Sequence, residues 1–292
     1  MDVRRMTEQR NVFSGRRAVV ATMHGKEQAI APVFRTSLNL IVVPATGVDT
    51  DALGTFSGEV PRRGTMLETA VAKARLGMER ARLPFGIASE GSFGPHPLLA
   101  IIPAGFELLA FVDDERGTTI HESLVIDATN FAHIVTSPAE PITQFLAQVG
   151  FPSHGLIVRP NVGDAQTKLF KGIVDLSNLQ SAITAAAALS DDGCARVDTD
   201  MRAHLNPTRM KSLTALAVRL SDRLSCLCPS CAAPGWGRIK VIRGLPCEVC
   251  DTATEWVMSE VFGCAACTHE EERRRSDGLT HTGPANCPWC NP

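Results

Sequence analysis

The chain has 292 residues, of which 44% are hydrophobic and 21% are charged, and its formal net charge is −2 at pH 7. This composition is typical of soluble globular proteins, and the length suffices for one medium domain plus a further module. Because binding to nucleic acid or to anionic membranes needs a basic surplus, the charge argues against both as partners. No apolar run approaches the roughly 18 residues of a membrane helix.

The N-terminal stretch MDVRRMTEQRNVFSGRR, residues 1–17, lacks the apolar centre of a secretory signal. We interpret it as a mobile leader and expect a cytoplasmic protein. Nine of the ten cysteines lie beyond residue 224. We therefore predict a core domain over residues 18–224 and a cysteine-rich zinc-binding module over residues 225–292.

In the core, strand patterns alternate with helical patterns. The predicted order is a strand at RAVVAT, a helix at HGKEQAIAPVFRTS, a strand at LNLIVVPA, a Gly-rich loop, a helix over about 66–82, a strand at FGIAS, and further strands within LLAIIPAGFELLAFVDDE and TTIHESLVI. This alternation predicts an α/β fold with a mixed central sheet. Ligands of such sheets bind beyond the carboxyl ends of the strands, where ATMHGKE and IASEGSFG lie.

The first of these strand ends has a candidate anion site. The strand RAVVAT leads into Thr22, His24 and Lys26 and then into a helix. Backbone N–H groups at a helix start, together with an ammonium group, stabilise a bound anion. Lys26 is therefore a candidate phosphate ligand, with Thr22 and His24 as neighbouring substrate contacts; the alternative for Lys26 is an ordinary surface lysine.

The second strand end has a candidate metal site. Glu68 lies near the start of the helix over 66–82, with Lys73 more than one turn later, and Glu90 closes the strand FGIAS just before Ser92. Carboxylates that converge at a strand end and a helix start are the oxygen ligands that Mg²⁺ prefers. We predict that Glu68 and Glu90 hold Mg²⁺, with Lys73 and Ser92 as substrate contacts. The alternative for Glu68 is capping of the helix.

The order ATxxGKE, ETAxxKA and ASEGSF resembles the inosine/xanthosine triphosphate pyrophosphatase superfamily over residues 18–95, with a weaker likeness in NPTRMKSLTALAVRL. The resemblance implies the inosine triphosphate pyrophosphatase fold and hydrolysis of a nucleotide. Lys26 would then contact phosphate, Glu68 and Glu90 would serve the metal, and Arg209 would approach the nucleotide. The whole chain, including TDMRAHLNPTRM and the CNP terminus, also resembles an uncharacterised bacterial family with a zinc-bearing tail.

The segment TDMRAHLNPTRM concentrates charge before an amphipathic helix that NP caps and begins. One interpretation is that Arg202 and Arg209 clamp phosphate with their planar guanidinium groups while His204 supplies a proton. The other is that aspartates, with Asp198 and Asp200 as candidates, pair with these arginines to hold an interdomain seam, since the zinc module begins shortly after the helix. The sequence favours neither.

Beyond residue 224 the cysteines form four C-x2-C pairs: Cys228/Cys231, Cys247/Cys250, Cys264/Cys267 and Cys287/Cys290. Two such pairs complete a tetrahedral zinc site, and the spacers of 15 residues between the first two pairs and 19 between the last two suit four-cysteine sites. Sequential pairing would give two zinc ribbons, and cross-braced pairing would join the first pair to the third and the second to the fourth. The alternative to zinc is a disulfide-stapled secreted tail.

The cysteine-rich module is acidic, with six Lys/Arg against eight Asp/Glu from residue 226 onward. Since each four-thiolate zinc site adds further negative charge, we expect protein contacts rather than nucleic-acid binding. The run EEERRR is interpreted as a solvated helix face or loop.

These observations predict a Mg²⁺-dependent phosphoanhydride hydrolase that acts on a nucleotide or a related phosphate-bearing small molecule. The alternative is a non-catalytic nucleotide-sensing or adaptor protein that contacts a protein partner through its zinc module. Two structural zinc ions accompany either function.

Overall fold

A computed structural model describes residues 11–54, 62, 64–96, 101–163 and 168–292. The described chain divides into two compact units. We call Phe13–Glu115 with His121–Leu220 the core unit, and Arg116–Ile120 with Ser221–Pro292 the cysteine-rich unit. None of the described helices is long and apolar enough to span a membrane.

The first sheet of the described chain is mixed and has the strand order β2-β1-β3-β4-β5. Its strands are β1 (Arg17–Val20), β2 (Ile41–Pro44), β3 (Phe85–Pro95), β4 (Pro103–Asp113) and β5 (Thr118–Ile126). Strand β1 is parallel to β2 and β3, whereas β3 and β4 pair antiparallel along their whole length. Residues 103–105, within LLAIIPAGFELLAFVDDE, form the start of β4 because they pair with the end of β3.

Two helices accompany this sheet, α1 (Glu27–Leu38) and α2 (Met66–Ala81). Helix α1 buries Ile30, Phe34 and Leu38, which recur every four residues on one face, and it ends at Asn39 in a left-handed conformation. Helix α2 begins with a capping box between Thr65 and Glu68.

The aromatic core of this part includes a residue of the expected leader. Phe13 has no exposed surface, and its ring meets those of Phe85 and Phe111 edge-on at centroid distances of 5.7 and 5.2 Å. The expected leader, residues 1–17, lies outside the described residues up to position 10. From Phe13 onward it belongs to the core, because burying an aromatic side chain is more favourable in free energy than leaving it exposed in a mobile segment.

A second sheet follows, with the order β6-β9-β7-β8 and antiparallel pairing throughout. It consists of β6 (His133–Thr136), β7 (Leu156–Pro160), β8 (Phe170–Ile173) and β9 (Ala195–Thr199). The helices α3 (Thr143–Val149) and α4 (Leu176–Ala187) share one apolar cluster with it. The core is thus α/β as predicted, but its strands form two sheets rather than one central sheet, because those after β5 pair among themselves.

Helix α5 (Pro207–Ser225) leads toward the C-terminal part of the chain. The cysteine-rich unit contains an antiparallel sheet of β10 (Gly237–Arg243), β11 (Val257–Gly263) and β12 (Glu270–Arg274). The EEERRR run therefore lies mostly in a strand and not on the expected helix face or loop, since its backbone pairs with β11. All residues of β12 are exposed, as a charged edge strand requires.

Candidate functional site

The core unit encloses a cavity of about 380 Å³. Its walls come from the loop after β1, from β3, from β7 and β9, and from the first turn of α5. Among the described lining residues, the lysines and arginines are Lys26, Arg62, Lys73, Arg159, Arg196 and Arg209, and the carboxylates are Glu90 and Asp198. Positive side chains thus outnumber negative ones, which favours an anionic ligand.

The loop after β1 turns the chain toward the cavity. The Thr22 hydroxyl oxygen accepts the backbone N–H groups of His24, at 3.1 Å, and of Lys26, at 3.5 Å. Gly25 has a φ of +67°, which glycine adopts without steric cost. Thr22, His24 and Lys26, all predicted as site residues, therefore line one wall of the cavity together.

Lys26 immediately precedes α1 and is partly buried. Its Nζ donates a hydrogen bond to the carbonyl oxygen of Ser89 at 3.2 Å. Burial, and next the nearby Arg209 guanidinium, lower the pKa of Lys26 from 10.5 to about 8. Lys26 therefore loses its proton at a lower pH than a surface lysine does.

Glu90 holds two cations at the cavity wall. It is 6% exposed, and its carboxylate oxygens lie 2.6 Å from Lys73 Nζ and 3.2 Å from Arg62 Nη2. Arg62 also donates to the carbonyl oxygen of Gly91 at 2.9 Å. The structure thus brings the predicted residues Glu90 and Lys73 together with Lys26 and Ser92 around one cavity, and Glu90 acts there as a counter-ion.

Glu68 has a different role. Its Oε2 accepts hydrogen bonds from the backbone N–H of Thr65, at 2.8 Å, and from the Thr65 hydroxyl, at 3.0 Å. These bonds, the backbone one first, lower the pKa of Glu68. Glu68 is exposed and is absent from the described residues that line the cavity. The contacts of Glu68 and Glu90 therefore do not support the Mg²⁺ site predicted for this pair, since one caps a helix and the other neutralises two cations.

Arg209 forms a buried ion pair above β3. It is 4% exposed, its Nε donates to the fully buried carboxylate of Glu107, and its Nη1 donates to the carbonyl oxygen of Met201. A Cβ added at Gly91 would lie only 2.5 Å from Arg209 Nη2 and 2.7 Å from Glu107 Oε1. The small residue after Glu90 is therefore required because an ion pair packs directly against the strand.

Asp198 holds the second pair of cations. Its Oδ2 lies 3.1 Å from Arg159 Nε and its Oδ1 lies 2.8 Å from Arg196 Nε. Arg159 and Arg196 are register partners on the neighbouring strands β7 and β9. One carboxylate therefore fixes two guanidinium groups on the same wall, an arrangement suited to the oxygens of a phosphate or carboxylate.

Arg202 and His204 lie outside the described cavity lining. Arg202 pairs with the fully buried Asp200, with 2.6 Å between Nη2 and Oδ2, so the structural interpretation fits this arginine. The imidazole of His204 stacks on that of His24 at a centroid distance of 5.1 Å, and burial, followed by Arg202, lowers the pKa of His204. The charged residues of this region thus have two roles. Arg202 forms a salt bridge with Asp200, whereas Asp198 and Arg209 line the cavity.

Sequence reasoning missed Arg62, Glu107, Arg159 and Arg196. Glu107 and Arg159 are charged residues inside strands that are otherwise largely apolar, whereas the strand of Arg196, ARVDT, alternates apolar and polar residues. A charge in such a position must be paired in the folded protein, which marks it as a candidate for a buried site.

The eight paired cysteines form two groups. The first contains the first and third C-x2-C pairs, and the second contains the second and fourth. In the first group, Sγ of Cys228 lies 3.9 Å from that of Cys267, and Sγ of Cys231 lies 3.6 Å from that of Cys264. The pairing is therefore cross-braced, and the alternative of two sequential zinc ribbons is wrong for this structure.

The second group has the same geometry, with 3.9 Å between the Sγ atoms of Cys247 and Cys290 and 3.6 Å between those of Cys250 and Cys287. Four sulfurs at about 2.3 Å from a tetrahedral Zn²⁺ lie about 3.8 Å apart. Both groups fit that requirement and can hold a metal ion such as zinc. None of the ten cysteines forms a disulfide bond in this structure, which does not support the disulfide-stapled alternative.

Backbone N–H groups support the sulfurs of both groups. Cys264 Sγ accepts from the amides of Ala266, at 3.2 Å, and of Cys267, at 3.4 Å, and Cys287 Sγ accepts from the amide of Cys290 at 3.4 Å. Such donors favour the thiolate form that a metal requires. Cys194 and Cys226 belong to neither group.

A family model described as a domain of unknown function, DUF6671, matches residues 73–292. This span is about three quarters of the 292 residues, so the chain belongs to the DUF6671 family. The matched span contains both four-cysteine groups and most of the cavity wall, whereas the loop from Thr22 to Lys26 precedes it. No curated protein matches the chain in sequence.

Proposed function

We propose that this member of the DUF6671 family binds a phosphate-bearing small molecule, such as a nucleotide, in the cavity of its core unit. The observation that carries the proposal is the excess of lysine and arginine over carboxylate on the cavity wall. A phosphate group at neutral pH brings the negative charge and the several acceptor oxygens that such a wall lacks.

The carboxylates of the wall support binding by fixing the cations in place. Glu90 orients Lys73 and Arg62, and Asp198 orients Arg159 and Arg196. Since each carboxylate carries one negative charge and contacts two cations, each cluster keeps a net charge of about +1. Cations that are already held in position lose little conformational freedom when a ligand arrives. Preorganised cations of this kind also bind anions more tightly than mobile surface lysines.

The resemblance to the inosine/xanthosine triphosphate pyrophosphatase superfamily is the reason to test nucleotides first, and that fold remains part of the proposal. If the protein is an enzyme, the reaction that we propose is Mg²⁺-dependent hydrolysis of a phosphoanhydride. We rank binding above hydrolysis because Glu68 and Glu90, the predicted metal ligands, are engaged by Thr65 and by two cations. For the cysteine-rich unit we propose two structural zinc ions and a role in protein contacts.

The test is a panel of ligands added to the full-length chain. We expect a nucleoside triphosphate and inorganic pyrophosphate to raise the temperature of thermal unfolding by roughly 2–4 °C at saturating concentration, whereas the uncharged nucleoside leaves it unchanged. Adding Mg²⁺ and measuring released phosphate separates binding from hydrolysis. The proposal fails if the nucleoside stabilises the protein as strongly as the triphosphate does.

Two glutamate variants serve as matched controls for the hydrolase. If Mg²⁺ is held by Glu68 and Glu90, Glu68→Gln and Glu90→Gln both abolish turnover. If Glu68 only caps α2, Glu68→Gln leaves ligand binding unchanged, which is the result we expect.

A further inference from the structure

Lys26 differs from the other cations of the cavity in what holds it. Lys73 and Arg62 share Glu90, Arg159 and Arg196 share Asp198, and Arg209 pairs with Glu107. In the described part of the chain, Lys26 forms no ion pair, and Nζ donates only to the Ser89 carbonyl oxygen, at 3.2 Å. A carbonyl oxygen accepts a hydrogen bond from a neutral amine as well as from an ammonium ion, so this contact does not demand the charged form.

The surroundings of Lys26 favour the neutral amine. Burial is the largest effect, and the cations Arg209 and Lys73 act in the same direction, while Glu107 and Glu90 oppose them. Lys26 also precedes the first residue of α1, where the positive end of the helix dipole disfavours a cation. With its pKa lowered from 10.5 to about 8, the neutral fraction at pH 7 exceeds that of an ordinary lysine on the order of 100-fold.

We propose that Lys26 forms an imine with the carbonyl carbon of a phosphorylated aldehyde or ketone bound in the cavity. The inference rests on the proposed function, since the surrounding arginines and Lys73 would hold the phosphate. A desolvated lysine beside other cations is the arrangement by which proteins activate an amine as a nucleophile. The phosphate anchor and the reactive amine thus belong to one site.

The chemistry of the step balances within the site. The lone pair of Nζ adds to the carbonyl carbon, and the π pair moves to the carbonyl oxygen. That oxygen then leaves as water with the two hydrogens of the neutral amine, and the C=N bond forms. Hydrolysis reverses the step and needs no oxidant or reductant.

Ser89 provides an independent observation on the same wall. It lines the cavity and is 3% exposed, yet its hydroxyl oxygen has no hydrogen-bond partner among the described residues. Buried hydroxyl groups are normally paired. Because Lys26 Nζ contacts the carbonyl oxygen of the same residue, the Ser89 hydroxyl is suited to hydrogen-bond a ligand oxygen near the reacting carbon.

The test uses pyridoxal 5′-phosphate, a phosphorylated aldehyde, as the probe on the full-length chain at pH 8. Borohydride then reduces any imine to a stable secondary amine, and peptide mass spectrometry locates the adduct. We expect the adduct at Lys26 to exceed that at any other lysine by at least about tenfold, because burial lowers the pKa of Lys26 and the cavity cations hold the phosphate beside it. Pyridoxal, which lacks the phosphate, should label Lys26 more weakly, and pyrophosphate should protect it.

Lys26→Arg is the matched variant, since it keeps the positive charge but cannot form an imine. It should lose the adduct, whereas the weaker adducts at the other lysines should remain. If pyridoxal 5′-phosphate competes with pyrophosphate for the cavity but leaves Lys26 unmodified, the imine inference is overturned while the proposed function stands. If Lys26 reacts equally with pyridoxal and with its phosphate, and pyrophosphate gives no protection, the proposed phosphate site fails. Equal labelling of all lysines overturns the imine inference.

Discussion

At the scale of single residues, the cavity depends on how each charge is balanced. Glu90, Asp198 and Glu107 each hold at least one lysine or arginine, whereas Lys26 has only a backbone acceptor in the described chain. Burying an ammonium ion without a carboxylate partner costs stability. The fold tolerates this cost at the one lysine that the cavity chemistry is proposed to use.

The cost at Lys26 predicts a pH dependence of stability. Below pH 8 the folded and unfolded chains both carry the proton, so the full cost is present. Between pH 8 and pH 10.5 the folded protein has lost the proton that the unfolded chain still binds, so stability rises with pH. The free energy of unfolding should therefore rise relative to Lys26→Met by about 3 kcal/mol across this window.

Chemical denaturation of both proteins at several pH values measures this difference. If the difference in free energy of unfolding between the unsubstituted protein and Lys26→Met stays constant from pH 7 to pH 11, Lys26 titrates like a surface lysine.

The sequence predicted several of these residues but not their partners. Lys26, Lys73 and Glu90 stood out because they follow strand and helix patterns at the expected site. Glu68 and Glu90 were predicted to share a metal, and only the structure shows that one bonds Thr65 and the other bonds Lys73. Which carboxylate meets which cation depends on strand register, and the sequence pattern does not specify it.

At the scale of elements, β3 carries the most concentrated set of site residues. Its side chains alternate, so Glu90 faces Lys73 of α2 while Gly91 lies under the Glu107–Arg209 ion pair. Long antiparallel pairing with β4 brings Glu107 opposite Gly91. A single strand therefore contacts both the Glu90 cation cluster and the Glu107–Arg209 ion pair.

Replacing Gly91 with alanine tests this role. The added Cβ would clash with Arg209 Nη2 at 2.5 Å and with Glu107 Oε1 at 2.7 Å. We expect Gly91→Ala to destabilise the protein by about 1–3 kcal/mol, the cost typical of overpacking, and to weaken pyrophosphate binding. Gly94→Ala in the same strand is the matched control, because nothing lies within 4 Å of its Cβ.

Denaturant unfolding of the two variants compares them directly. Equal stability of Gly91→Ala and Gly94→Ala would mean that the ion pair does not pack against the strand as described.

Elements were easier to predict than their arrangement. The pattern of α2, with Glu68 near its start, predicted a helix over about 66–82, within one residue of its observed end at Ala81. The division into two sheets was missed, because β6 to β9 pair over long separations in the chain and no local pattern records which strands are neighbours.

At the scale of the whole molecule, the two units differ in how they are stabilised. The core unit has apolar clusters between sheets and helices, whereas the cysteine-rich unit relies on two four-cysteine groups. Cross-bracing interleaves the groups along the chain, so each four-cysteine group spans a segment that contains a cysteine pair of the other group. The spacing of the pairs predicted the ligands but left the pairing open.

Serine substitution of whole C-x2-C pairs distinguishes the two pairings. Removing the first and third pairs should abolish one group and leave one metal bound, whereas removing the first and second pairs should damage both groups and leave none. Sequential pairing gives the opposite result. Metal content measured by mass spectrometry of the native protein decides between them.

The cavity of the core unit is proposed to be an anion site built from cations that carboxylates hold in place. The decisive experiment is calorimetric titration of inorganic pyrophosphate into the full-length chain and into its variants Arg196→Ala and Arg75→Ala. Both arginines pair with an aspartate, but Arg196 lines the cavity and the exposed Arg75 does not. We predict that pyrophosphate binds to the full-length chain. Arg196→Ala should weaken this binding about tenfold or more, because one charge-assisted contact is lost, and Arg75→Ala should leave it unchanged. No binding, or equal weakening in both variants, would contradict the account.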